Sequence, residues 1–161
     1  MLNRRQFVQV AITGTTLSLL PHSKATELSH NLESSDLIYL TPLKSNGTES
    51  RCQSEIWYVW DGTDIYVCTD TTAWRAKAPA LGLKQTRIWV GDLGNWKSTN
   101  GEYKQLPRID AVTNIVKDSV VHAKTLEMFG EKYPLGWVRW GPTFKRGLKD
   151  GSRTLLQYRP S

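Results

Sequence analysis

Apolar positions in this sequence come in short bursts, most of them closed by turn residues, and few of them repeat at helical spacing. Leu37 to Leu43 reads as a strand, with Pro42 placing that portion at an edge. Lys44 to Thr48 is a turn, Asn46-Gly47 being a strong hairpin signal. The chain returns through 49–54 into a strand over Glu55–Trp60, turns at Asp61-Gly62, and runs out again over Asp64–Thr69. Three antiparallel strands in a meander are expected. Residues 70–78 predict a cap and one or two helical turns, with Thr71 or Thr72 capping and Pro79 keeping the helix short. Thr86–Gly91 resumes a strand, 92–106 is a long loop, and 107–116 alternates as a strand should. Asp118 then caps a helix over 119–129, with Val120, Ala123 and Leu126 on one face, Val121 and Phe129 close by, and Gly130 stopping it. Residues 133–142 read as irregular and aromatic, and Arg153–Tyr158 as a last strand.

These elements predict a mainly β fold with minor α. The expected form is a small antiparallel split β-barrel, with a short helix after the third strand and a longer helix before the C-terminal strand. The seven tryptophans are expected to fill the barrel and cover its ends.

The first 25 residues stand apart from this pattern. Arg4-Arg5 precede Gln6-Phe7, a mildly apolar stretch runs to Leu20, and Ser23-Lys24-Ala25 offers a small-residue cleavage site. Those are the parts of a secretory signal, and the arginine pair specifies the twin-arginine (Tat) variety. The apolar stretch is too short to span a bilayer, so no stable membrane span is expected after cleavage. Export by the Tat machinery to a periplasmic or extracellular destination follows as an expectation. That route carries proteins already folded, which favours a chain that locks in a cofactor first. The expected organisation is residues 1–25 as signal, 26–35 as a loose polar leader and 36–161 as a single split-barrel, flavin-binding domain.

Charge changes the picture little. The segment 1–25 holds Arg4, Arg5 and Lys24 and no acid, so the formal charge of +6 falls to +3 without it. No Lys/Arg cluster remains to suggest nucleic-acid binding. His22 lies in the signal and His30 in the leader, which leaves His122 as a surface or packing residue on a helix; no metal site is expected. A two-residue turn at Asp61-Gly62 would set Cys68 opposite Glu55 and Cys52 opposite Thr71. That offset of about 10 Å is too long for a disulfide unless a bulge shortens it.

Candidate chemistry lies in Thr69–Lys77. A strand end, the hydroxyls of Thr69, Thr71 and Thr72, an opening helix, and Arg75 and Lys77 in its first turns together suit an anion such as a phosphate. The same residues also describe a capped surface helix with two solvated cations. The run from Leu37 to Asp92 resembles the FMN-binding split barrel of the pyridoxamine-5'-phosphate-oxidase-like superfamily. The matching features are the Asn-Gly turn, the strands 55–60 and 64–69, the Thr-rich step, Trp74-Arg75-Ala76-Lys77 and Arg87–Val90. The resemblance implies a strand-end role for Thr69, a phosphate-ligand role for Arg75, and Lys77 as a second candidate. Trp74 stands where the family often has a small or basic residue, and nothing matches the substrate contacts of pyridoxamine phosphate oxidation. It also implies FMN, with deazaflavin F420 or haem as alternatives, and a homodimer with two interfacial sites. Trp137, Arg139 and Trp140 would then close the partner's site or cover the chain's own barrel end. The expected function is an exported flavin-dependent oxidoreductase acting on a small organic substrate. The alternative is a non-catalytic module holding a flavin, haem or apolar ligand.

Overall fold

A computed structural model describes residues 24–161; the export-signal reading of residues 1–25 falls almost wholly outside them. The strands are β1 (Ile38–Pro42), β2 (Ser54–Ile56), β3 (Val59–Trp60), β4 (Ile65–Asp70), β5 (Gln85–Val90), β6 (Arg108–Val116) and β7 (Arg153–Pro160). Helices α1 (Lys24–Ser34), α2 (Trp74–Ala80), α3 (Ser119–Lys132) and α4 (Pro134–Asp150) decorate them. All ladders are antiparallel, in the order β2-β1-β5-β6-β7-β4-β3. The mainly β barrel predicted from the sequence is therefore the fold.

The two edges of this sheet, β2 and β3, are halves of one stretch. The sequence reads 55–60 as a single strand. In the structure Trp57 and Tyr58 form a bend between two pairings, β2 with β1 and β3 with β4. One chain segment thus bridges the sheet's two edges and curls it into a barrel. The hairpin that follows is also longer than predicted. Trp60 faces Ile65, so Asp61–Asp64 form the loop, and Asp61 Oδ1 accepts from the backbone N–H groups of Thr63 (3.0 Å) and Asp64 (2.8 Å). The register that set Cys68 opposite Glu55 does not hold. Cys52 precedes β2, and both cysteines are free thiols.

Alternation along the strands builds two apolar layers. Ile38, Leu40, Ile65, Val67, Ile88, Leu156 and Tyr158 point into the barrel. Tyr66, Cys68 and Leu155 point outward to a second core against α3 and α4, with Phe129, Tyr133 and Phe144. With both faces covered, the strands read as nearly continuous apolar runs. Outside β1 and β5, Tyr39, Trp89 and Tyr103 form a smaller cluster. Tyr39 pins the 92–106 loop, accepting from the Leu93 N–H (2.7 Å) and donating to the Gly94 carbonyl (2.8 Å).

Four further expectations change. The supposed loose leader is largely helix α1, because Leu28 and Leu32, one turn apart, dock on the barrel and Leu32 is buried. The Tyr58 hydroxyl donates to its carbonyl at 2.9 Å. Helix α3 does start at an Asp118 cap, whose Oδ1 accepts from the Val120 and Val121 N–H groups. It runs through Gly130, however, and buries Thr125 and Phe129, leaving Val120 75% exposed. Residues 133–142 are not irregular, since α4 occupies 134–150 with Pro134 in its first turn. Finally, tyrosines and aliphatics fill the barrel. Of the tryptophans only Trp89 is buried, and the others are half-exposed or exposed.

Candidate functional site

At the end of β4 that leads into α2, the barrel wall, the β2–β3 bend and α4 line an open cavity of about 440 Å³. Its chemistry comes from two arginines and a set of flat side chains. Arg75 projects from α2, donating from Nε to Thr69 Oγ1 at 2.8 Å and from Nη1 to Ser54 Oγ at 2.6 Å. Those bonds fix the guanidinium plane and, among the described residues, leave Nη2 without a hydrogen-bond partner. Because each hydroxyl oxygen accepts from Arg75, each keeps its own proton to donate. Arg153 opens β7 and sits opposite Asp70 in the ladder, with its guanidinium 5.0 Å from the centre of the Phe144 ring. Among the described residues neither arginine makes an ion pair within 4 Å.

Two carboxylates also line the cavity, and both are occupied elsewhere. Asp70 Oδ1 accepts from the Thr72 N–H (2.7 Å) and hydroxyl (2.6 Å), bonds that together with the nearby arginines hold its carboxyl below the usual range. Glu55 accepts from Asn95 Nδ2 (2.9 Å) and the Trp96 N–H (3.3 Å), tying the cavity wall to the 92–106 loop. Trp57 and Trp140 supply planar apolar walls. Trp57 is held flat by stacking on Tyr133, with ring centres 4.4 Å and planes 2° apart. Tyr133 is fixed in turn, its hydroxyl accepting from the Tyr58 N–H (3.0 Å) and lying 2.9 Å from the Asp36 carbonyl. Cys68 also reaches the cavity, but burial pushes its thiol up to about 12, so it stays protonated and weakly nucleophilic.

Of the residues singled out in the sequence, Thr69, Arg75 and Trp140 meet at this cavity. The others lie elsewhere. Thr71 uses its hydroxyl and its N–H on the Ser152 carbonyl, and Thr72 turns back to Asp70. Neither caps α2, whose cap residue, Ala73, offers no side-chain bond. Lys77 is exposed and outside the cavity. Trp137 packs between α3 and α4, with its ring centre 6.0 Å from Phe129 and 5.6 Å from Phe144. His122 lies away from the cavity, with Nε2 2.8 Å from the Val116 carbonyl. Ser54, Trp57, Phe144 and Arg153 were not anticipated. Arg153 could have been found only from the β4–β7 register, which brings it beside Asp70.

No protein-family model and no curated protein matches the chain. Solved structures do. The haem storage protein HutZ from Vibrio cholerae matches with a TM-score of 0.57 at 18% identity, over 84% of this chain and 88% of that one. An F420 reductase matches with a TM-score of 0.55 at 18% identity, over 83% and 92%. A Listeria innocua chain described as a candidate pyridoxamine 5'-phosphate oxidase gives 0.54 at 11% identity, over 84% and 91%. At such identities the likeness is one of fold, and that fold is the split barrel.

Proposed function

We propose that the protein binds FMN in this cavity and acts as an oxidoreductase on a small organic substrate. The observation that carries the reading is the pairing of the Arg75 guanidinium, which makes no ion pair within 4 Å among the described residues, with flat aromatic walls in one cavity of small-molecule size. Arg75 is pre-oriented to grip a phosphate through its free N–H groups, with the Thr69 and Ser54 hydroxyls as neutral donors beside it. Trp57 and Trp140 give an isoalloxazine ring apolar surfaces to lie against. Bound FMN would supply the two-electron chemistry, and the chain's part is to anchor, orient and shield it. The names of the structural neighbours, which include an F420 reductase and a candidate pyridoxamine 5'-phosphate oxidase, support a flavin-type ligand.

Haem, which the name of HutZ suggests, fits the donor set less well. Among the described residues no histidine lines this cavity, and its cysteine is a protonated thiol. The same reading includes export by the twin-arginine route to the periplasm or beyond, supported by Arg4-Arg5 and the stretch that follows, and a homodimer, which rests on the family resemblance alone.

Purification of the full chain tests the cofactor directly. Wild-type protein should carry or rebind FMN, seen as the visible flavin spectrum. Arg75→Ala should weaken FMN binding by roughly 10- to 100-fold, the equivalent of one or two charge-assisted hydrogen bonds, with an unchanged far-UV circular dichroism spectrum. A wild-type chain that neither retains nor binds FMN would sink the proposal. Unchanged affinity in Arg75→Ala would remove the phosphate anchor.

A further inference from the structure

We infer that Arg153 is a second, separate anion anchor in the same cavity, and that it receives the carboxylate of a planar, singly charged organic substrate. This rests on the FMN reading above.

Strand geometry sets the two guanidiniums apart. Along β4, Ile65 and Val67 point into the barrel while Tyr66 and Cys68 point out to the helices. Thr69, the Arg75 partner, continues the inward set. Along β7, Leu156 and Tyr158 point inward and Leu155 outward, so Arg153 belongs to the outward set. Arg75 therefore serves the barrel side of the β4 end and Arg153 the α4 side. Thr69, which holds Arg75, and Arg153 thus lie on opposite faces of the sheet, which suits two separate anions.

Arg153 is also positioned by its surroundings. Its stem lies along α4 at Gly147, where an added Cβ would meet Cγ at 2.7 Å and Cδ at 2.8 Å. Glycine is disfavoured inside a helix, and here its missing side chain is the space the arginine occupies. The guanidinium is then held over the Phe144 ring, a contact that keeps it weakly hydrated and oriented. Trp140, from the same helix, lines the cavity beside it, which suits a flat molecule. The nearby Asp70, its Oδ1 already occupied by Thr72, leaves a negative charge next to Arg153. That charge tempers the local field and favours a monoanionic carboxylate over a dianion.

The test uses FMN-loaded protein with benzoate as the probe and benzamide as its neutral counterpart. It is read by perturbation of the flavin spectrum and by tryptophan fluorescence. Benzoate should saturate, and benzamide should bind at least about tenfold more weakly, as expected when a charge-assisted pair is lost. Arg153→Met keeps the stem and should cut benzoate affinity by about tenfold or more, while FMN affinity changes less than about threefold. Arg153→Lys, retaining charge without the fork, should fall between. Equal binding of benzoate and benzamide, or undiminished benzoate binding by Arg153→Met, would overturn the inference. So would loss of FMN from Arg153→Met as severe as from Arg75→Ala, which would assign Arg153 to the cofactor. Should the wild type bind no FMN, the cofactor reading fails alone. Benzoate titration of the unloaded chain, followed by tryptophan fluorescence, then decides Arg153 by the same criteria.

Discussion

Gly136→Ala sets two calculable effects against each other at the wall of the cavity. The position lies in the first turns of α4, where alanine is favoured over glycine by about 1 kcal/mol. The new Cβ, however, would fall 2.9 Å from Trp57 Cζ2 and closer still to Cη2. The indole cannot retreat easily, because it stacks on Tyr133, itself held by hydrogen bonds to Tyr58. Overpacking of this kind costs about 1–3 kcal/mol. The net expectation is destabilisation by about 0–2 kcal/mol, with Trp57 displaced in the cavity. Urea unfolding followed by far-UV circular dichroism measures the first, and FMN affinity the second. The decisive comparison repeats the substitution in a Trp57→Leu background, which removes the ring atoms that clash. There only the helical gain survives, and Gly136→Ala should stabilise by about 1 kcal/mol. Equal destabilisation in both backgrounds would refute the reasoning, since the cost would then not come from the indole.

Two other outcomes follow from the structure. Asp64 is 4% exposed and accepts from Gln157 Nε2 (2.6 Å) and from Arg159 Nε (3.1 Å) and Nη2 (2.9 Å), so Asp64→Ala should cost about 2 kcal/mol. The urea midpoint should fall with an unchanged m-value, and a loss below about 0.5 kcal/mol would show that these bonds contribute little. Lys132 has its Nζ 3.5 Å from the centre of the Tyr58 ring, and burial pushes it from 10.5 down to about 8, with Asp36 opposing. Between those values the unfolded chain binds more protons, so this group's contribution to stability rises with pH; the full cost applies below about 8. Lys132→Met should therefore raise the melting temperature at pH 7, and the gain over wild type should fade toward pH 10.5. A lower melting temperature at pH 7 would mean that the ring contact outweighs desolvation.

The barrel's strands were legible because short apolar runs and the turn chemistry that closes them act over a few residues. Asn46-Gly47 makes its turn, with Gly47 at φ +78°, and Asp118 caps α3. Thr69 and Arg75 could be paired on paper because both lie in one short segment. The sequence alone thus determined the barrel class, most of its elements and one of the cavity's two arginines. The 55–60 stretch shows where that reach ends. Its residues suit one strand, and only the competing ladders with β1 and β4 impose the bend at Trp57-Tyr58. Helix α4 was hidden for a related reason. Its core-facing stripe of Trp137, Gly141, Phe144 and Leu148 has helical spacing, but Gly141 and the Pro142 that follows it are both disfavoured inside a helix. The place of Gly141 in the stripe comes from Trp137, whose ring would meet an added Cβ at 2.8 Å. Arg153 meets Arg75 at one cavity only because β7 pairs with β4. Local pattern fixes what each segment prefers to be. Pairing register and the space left by glycines, which depend on residues far apart in the chain, decided which side chains share a site.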